Sequence, residues 1–151
     1  MAEFFTRPDA VKAIDNANLL ADWFGRWLSF EDAEVTSMVF DRGSRTESAD
    51  AIADPEPPSL TAIFLVVDTA LALDDPRSMP ARVSLKFGDI LGLQMSGFGW
   101  QNPILGLWIS VIRSDELMGR QLSVKWGGAA GTGHEVAFRC STCSVLAVCK
   151  A

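Results

Sequence analysis

Residues 29–40, SFEDAEVTSMVF, set three carboxylates (Glu31, Asp32 and Glu34) at the mouth of an apolar run. Carboxylates this close together are able to bind a cation, share acid–base work or face a basic partner. Strand alternation would put Asp32 and Glu34 on one side and Glu31 on the other. Two carboxylates on one face are too few oxygen ligands for calcium or magnesium, and a glycosidase pair needs a second acid from elsewhere in the chain. Neither catalytic reading has a second leg. Cys140-Ser-Thr-Cys143 has the spacing of half a zinc site or of a redox dithiol. The other potential ligands are Cys149 and the single histidine, His134. The pair also follows a strand, where a redox motif would open a helix, so its cysteines are expected to pack as small hydrophobes. His134 sits in a turn before a strand and is expected to be solvated; a nucleophilic triad would have to use it. GGAAGTGH (127–134) is rich in glycine, but it lacks the lysine–hydroxyl ending of a phosphate loop and precedes a strand. A hairpin loop explains it better.

The tryptophans at 23, 27, 100, 108 and 126 carry more information. Trp108 and Trp126 fall in strand-like stretches and read as core or as the lining of a ligand site. Trp100 lies in GFGWQNP, where Gln101 and Asn102 are able to hydrogen-bond the backbone or a partner. Exposed aromatics beside amides suit an interface; alternatively Trp100 covers a sheet end while Asn102 fixes the turn.

These residues sit on a chain with few helical signals. Pro8 suits the first turn of a short helix running to about Ile14. Leu19, Leu20, Trp23, Phe24 and Trp27 then recur at helical spacing, with Gly25 as the terminator. From residue 33 onward the pattern is strand-like, with stretches at 33–42, 59–68, 82–87, 89–98, 104–113, 121–127, 135–140 and 144–149. SLTAIFLVVD (59–68) is apolar on both faces and reads as a central strand. In ILGLWISVIR (104–113), Leu105, Leu107, Ile109 and Val111 share a face, and QLSVKWG (121–127) turns Leu122, Val124 and Trp126 inward. A polar, proline-containing stretch at 43–58 reads as a mobile surface loop. Short connections favour antiparallel pairing. The expectation is one α+β, mostly β domain over 1–151: an N-terminal helical segment (1–28) packed on seven or eight strands forming a curved sheet or half-barrel.

At 151 residues the chain is long enough to bury a core. Its longest apolar run, Ala62–Val67, is far short of a membrane span. The N-terminus carries Glu3, Arg7, Asp9 and Lys12 and does not read as a signal peptide. With three cysteines there is no disulfide framework, and the cytoplasm is the simplest compartment. Net charge is −6, divided unevenly: residues 1–75 hold 15 acids and 5 bases, residues 76–151 hold 4 acids and 8 bases. Such a chain repels nucleic acid and attracts a basic partner if the early acids share a surface.

Taken together, SFEDAEV, VFDR, PSLTAIFLVVD, VSLKFGDILGLQMSGFGWQN, LSVKWG and VAFRCSTCSVLAV resemble the predicted immunity protein 50 family of bacterial polymorphic-toxin systems. The similarity extends from about Trp23 to Val148. The family's first strand opens on His-Asp-Ala-Glu; Glu31 stands at the histidine position here, so a role resting on that histidine is not carried over. The resemblance implies a small cytoplasmic, non-catalytic protein that neutralises a cognate toxin by covering its surface, without cofactor, metal, nucleic acid or membrane. The candidate contacts are Glu31, Asp32, Glu34, Trp100, Gln101 and Asn102. A rival expectation is a small-molecule-binding barrel lined by Trp108 and Trp126. A third is an enzyme that uses His134 with an acidic partner.

Overall fold

The computed structural model describes residues 6–44, 56–68, 70–115, 117, 119–128 and 133–151. Most of the polar stretch expected as a mobile loop (45–55) and the centre of the glycine-rich turn (129–132) lie outside these residues. Two short helices, α1 (Pro8–Lys12) and α2 (Ala17–Phe24), precede eight strands. The strands are β1 (Glu34–Asp41), β2 (Ser59–Val66), β3 (Ala81–Gly88), β4 (Leu91–Ser96), β5 (Ile104–Asp115), β6 (Gly119–Gly128), β7 (Glu135–Cys140) and β8 (Thr142–Lys150). Pro8 occupies the first turn of α1. Gly25 ends α2 in the left-handed region (φ 83°), donating its N–H to the Ala21 carbonyl.

The expected antiparallel strands form, and they divide between two four-stranded sheets that do not close into a barrel. The orders are β1-β2-β3-β8 and β4-β7-β6-β5. Alternation decides the inner faces. Leu60, Ala62, Phe64 and Val66 of β2, and Val83, Leu85 and Phe87 of β3, meet Leu122, Val124 and Trp126 of β6 and Val136 and Phe138 of β7 in one cluster of buried residues. At its centre Trp126 touches Phe64 (ring centroids 5.4 Å apart), Phe87 (5.9 Å) and Phe138 (5.7 Å). These tilted and edge-on pairs add to the burial of their area. The outer residues of β2 (Thr61, Ile63 and Leu65) are half-buried, so the strand is central but not equally covered on its two faces.

The shared face expected in β5 is broken by a bulge between Ile104 and Gly106. The extra residue shifts the alternation, so Ile104 and Leu107 are buried while Leu105 is 41% exposed. The same register leaves Trp108 half-buried on the outer face, opposite Lys125, and not in the core.

The N-terminal segment covers two sheet edges. On β5, Thr6 Oγ1 donates to the Leu107 carbonyl (2.9 Å) and the Arg7 N–H to the Ile109 carbonyl (3.4 Å). On β8, the Asp15 N–H donates to the Cys143 carbonyl and the Asp15 carbonyl accepts from the Val145 N–H, each at 2.9 Å. Covering an edge in this way satisfies its backbone groups and denies them to other chains.

Candidate functional site

After Gly25 the chain crosses toward β5 in a short irregular segment. Phe30 adopts a left-handed conformation (φ 62°), unusual for a bulky residue. Its ring is buried between Trp27 (5.8 Å) and Phe64 (5.2 Å), and this packing holds the conformation. Asp32 is also left-handed (φ 60°), which aspartate tolerates better. The expected alternation of Asp32 and Glu34 therefore does not apply. Glu31 and Asp32 form a turn, and the strand begins only at Glu34.

That turn lies directly against the start of β5. The Asp32 N–H donates to the Ile104 carbonyl (3.0 Å), the Ile104 N–H to the Ala33 carbonyl (2.9 Å), and the Val35 N–H to the Asn102 carbonyl (3.0 Å). Glu34 and Pro103 form an isolated antiparallel bridge. The two groups of candidate contacts, some seventy positions apart in sequence, are thus stitched into one end of the sandwich.

Within that end the candidates part company. Glu31, Asp32, Trp100 and Gln101 are exposed, Trp100 completely so, and Glu34 is half-buried. Among the described residues no cation forms an ion pair with Glu31, Asp32 or Glu34. Asn102 is 2% exposed and turned inward. Its Oδ1 accepts from the Gly99 N–H (2.8 Å), and its Nδ2 donates to the carbonyls of Gly99 (3.0 Å) and Val35 (3.2 Å). Its side chain builds the turn and is not available to a partner.

His134 pins the other foot of this turn, and it is the clearest departure from expectation. It is fully buried, not solvated. Nε2 accepts the indole N–H of Trp126 (3.2 Å), which leaves Nδ1 to carry the proton and donate to the Ser96 carbonyl (3.3 Å). The Phe98 ring stands edge-on to it at 5.6 Å. Burial lowers its pKa, opposed by the Ser96 carbonyl. An imidazole buried in this way and spoken for at both nitrogens is a structural group. Gly97 belongs to the same arrangement. At φ 70° it passes so close to Gly133 that a Cβ would collide with that carbonyl.

Beside the acidic turn lies a cleft of about 390 Å³ lined by Arg26, Trp27, Ser29, Glu31 and Asp68, among others. Asp68, almost fully buried, receives a two-pronged ion pair from Arg26 (2.8 and 2.9 Å) and the Ala70 N–H (3.2 Å). The pair ties the chain after α2 to the end of β2.

The remaining chemical candidates are structural. Cys140 and Cys143 are buried free thiols, and desolvation raises the pKa of both, that of Cys140 to about 12. Neither is a thiolate at neutral pH. Among the described residues no three His, Cys, Asp or Glu side chains are placed to hold a metal ion, and no helix is long and apolar enough to cross a membrane. Trp126 is fully buried and packed against the rings of Phe64, Phe87 and Phe138. Compared with protein-family models, curated proteins and solved structures, the chain matches none.

Proposed function

We propose that the chain is a non-catalytic binding protein of the toxin-immunity type. It would neutralise a basic toxin domain by covering its surface with the end of the sandwich built from residues 29–34 and 98–101. One observation carries this reading: the fold joins two distant segments into a single surface bearing a fully exposed Trp100 and three carboxylates that form no ion pair among the described residues. Unpaired charge at a rim accelerates association with an oppositely charged partner. An exposed tryptophan on a turn held at both feet loses little entropy on docking and supplies apolar area. The resemblance to immunity protein 50 names the class of partner, and the acid-rich first half of the chain supports a basic one.

The test is to read the frames beside this chain's gene for a toxin domain and to co-express that domain with the chain; neighbouring frames without one would count against the reading. The wild-type chain should rescue growth and co-purify with the toxin. The double reversal Asp32→Lys/Glu34→Lys should remain folded and lose rescue. Unchanged rescue by the folded double variant, together with Trp100→Ala, would remove this surface from the proposal.

A further inference from the structure

The outer face of the second sheet carries a site of a different character. Register places Trp108, Lys125, Ala137 and Gln94 in one row across β5, β6, β7 and β4, and Ser110, Ser123, Arg139 and Leu91 in the next. Their chain neighbours Val124, Trp126, Phe138 and Cys140 point into the core, so these rows face outward. The small residues Ser123, Ala137 and Gly92 leave a floor, and Lys125, Arg139, Gln94 and Gln121 stand around it. The result is a hollow of about 490 Å³ that continues into a second of about 270 Å³ through Gln94, Lys125 and Ala137. Glu135 stands in the second hollow only.

Two features give the larger hollow a ligand preference. Lys125 pairs with Ala137 and Arg139 with Ser123, so the two cations are diagonal neighbours, about 7–8 Å apart at the backbone. Among the described residues neither forms an ion pair; the Lys125 ammonium lies 6.0 Å over the Trp108 ring. The side chains of Gln94, Gln121 and Ser123 likewise have no hydrogen-bond partner among the described residues. Two cations and three neutral polar groups lining one hollow offer more donors than a carboxylate has lone pairs to use well. A tetrahedral dianion matches them, with the guanidinium binding two of its oxygens.

We propose that this groove binds a small phosphoryl-bearing ligand, its oxyanion held between Lys125 and Arg139. A long polyanion would meet a molecule of net charge −6 and be repelled outside the groove. The larger hollow is lined by none of the residues proposed to contact a toxin, and the site does not depend on that reading.

The experiment is an amide NMR titration of the full chain with inorganic phosphate and with ribose 5-phosphate, using acetate at matched ionic strength as the control. Saturable shifts are expected at Ser123, Lys125, Ala137 and Arg139 with both phosphates and not with acetate. Arg139→Gln and Lys125→Gln should each weaken binding about tenfold, the loss expected of one charge-assisted contact. Arg139→Lys, which keeps the charge and loses the fork, should fall between. Asp32→Lys/Glu34→Lys should bind phosphate like the wild type. Equal shifts with acetate would overturn the phosphoryl assignment, and undiminished binding by folded Arg139→Gln and Lys125→Gln would overturn the site. An oligonucleotide that binds more tightly than ribose 5-phosphate would overturn the small-ligand claim.

Discussion

His134 and Asn102 show what a single residue contributes here. Each is a polar side chain with little exposure, and each fixes one foot of the turn that presents Trp100. His134→Leu would strand the buried indole N–H of Trp126, a loss of about 1–3 kcal/mol readable by urea denaturation. Folding also lowers the proton affinity of His134, so below its ordinary value of 6.5 the unfolded chain binds more protons than the native one. The stability that this imbalance controls is therefore present above pH 6.5 and is lost as the pH falls below it. Urea midpoints measured between pH 7.5 and 5 should drop more for the wild type than for His134→Gln. Asn102→Ala should cost about 1–3 kcal/mol through its three lost hydrogen bonds. Trp100→Ala should change stability by less than about 0.5 kcal/mol while weakening partner binding. Among the thiols, exposed Cys149 should react with a thiol reagent at neutral pH, and Cys140 and Cys143 only after denaturation.

At the scale of elements, the strands were legible wherever one face is apolar and the other polar, as in β3, β6 and β7, because strand alternation writes burial directly into sequence. The pattern failed at β5, where the bulge at Ile104–Gly106 exposes Leu105. The one mark of the bulge in ILGLWIS is Gly106, a glycine inside a strand pattern, which signals a bulge without fixing which neighbours turn outward. The pattern failed again at 30–32, where left-handed Phe30 and Asp32 set a turn in place of the alternation expected of Glu31, Asp32 and Glu34. The role of the N-terminal segment was also hidden. Its apolar spacing identified a helix, but its backbone bonds to β5 and β8 depend on which strands end up at sheet edges. Deleting residues 1–16 should therefore uncover the edges of β5 and β8, and light scattering should report aggregation at concentrations where the full chain remains clear.

At the scale of the molecule, charge and surface belong together. The acidic turn and the cationic groove occupy different parts of the sandwich, so the charge asymmetry of the sequence survives folding at these two places. If the acidic end meets a basic toxin, raising the salt concentration from low to physiological should lower the association rate far more than it raises the dissociation rate, in stopped-flow measurements. The sequence by itself determined the mostly β class, the antiparallel strands, the inward positions of Trp126, Phe138, Cys140 and Cys143, and the position of the acidic stretch. These follow from periodicity and residue chemistry, which are local. Only the tertiary structure decided that the strands divide into two sheets, that Asp32 and Trp100 share one end, that His134 is buried, and that Lys125 and Arg139 are neighbours. Those facts rest on strand order and register, which pair residues far apart in the chain and leave no local mark in either segment.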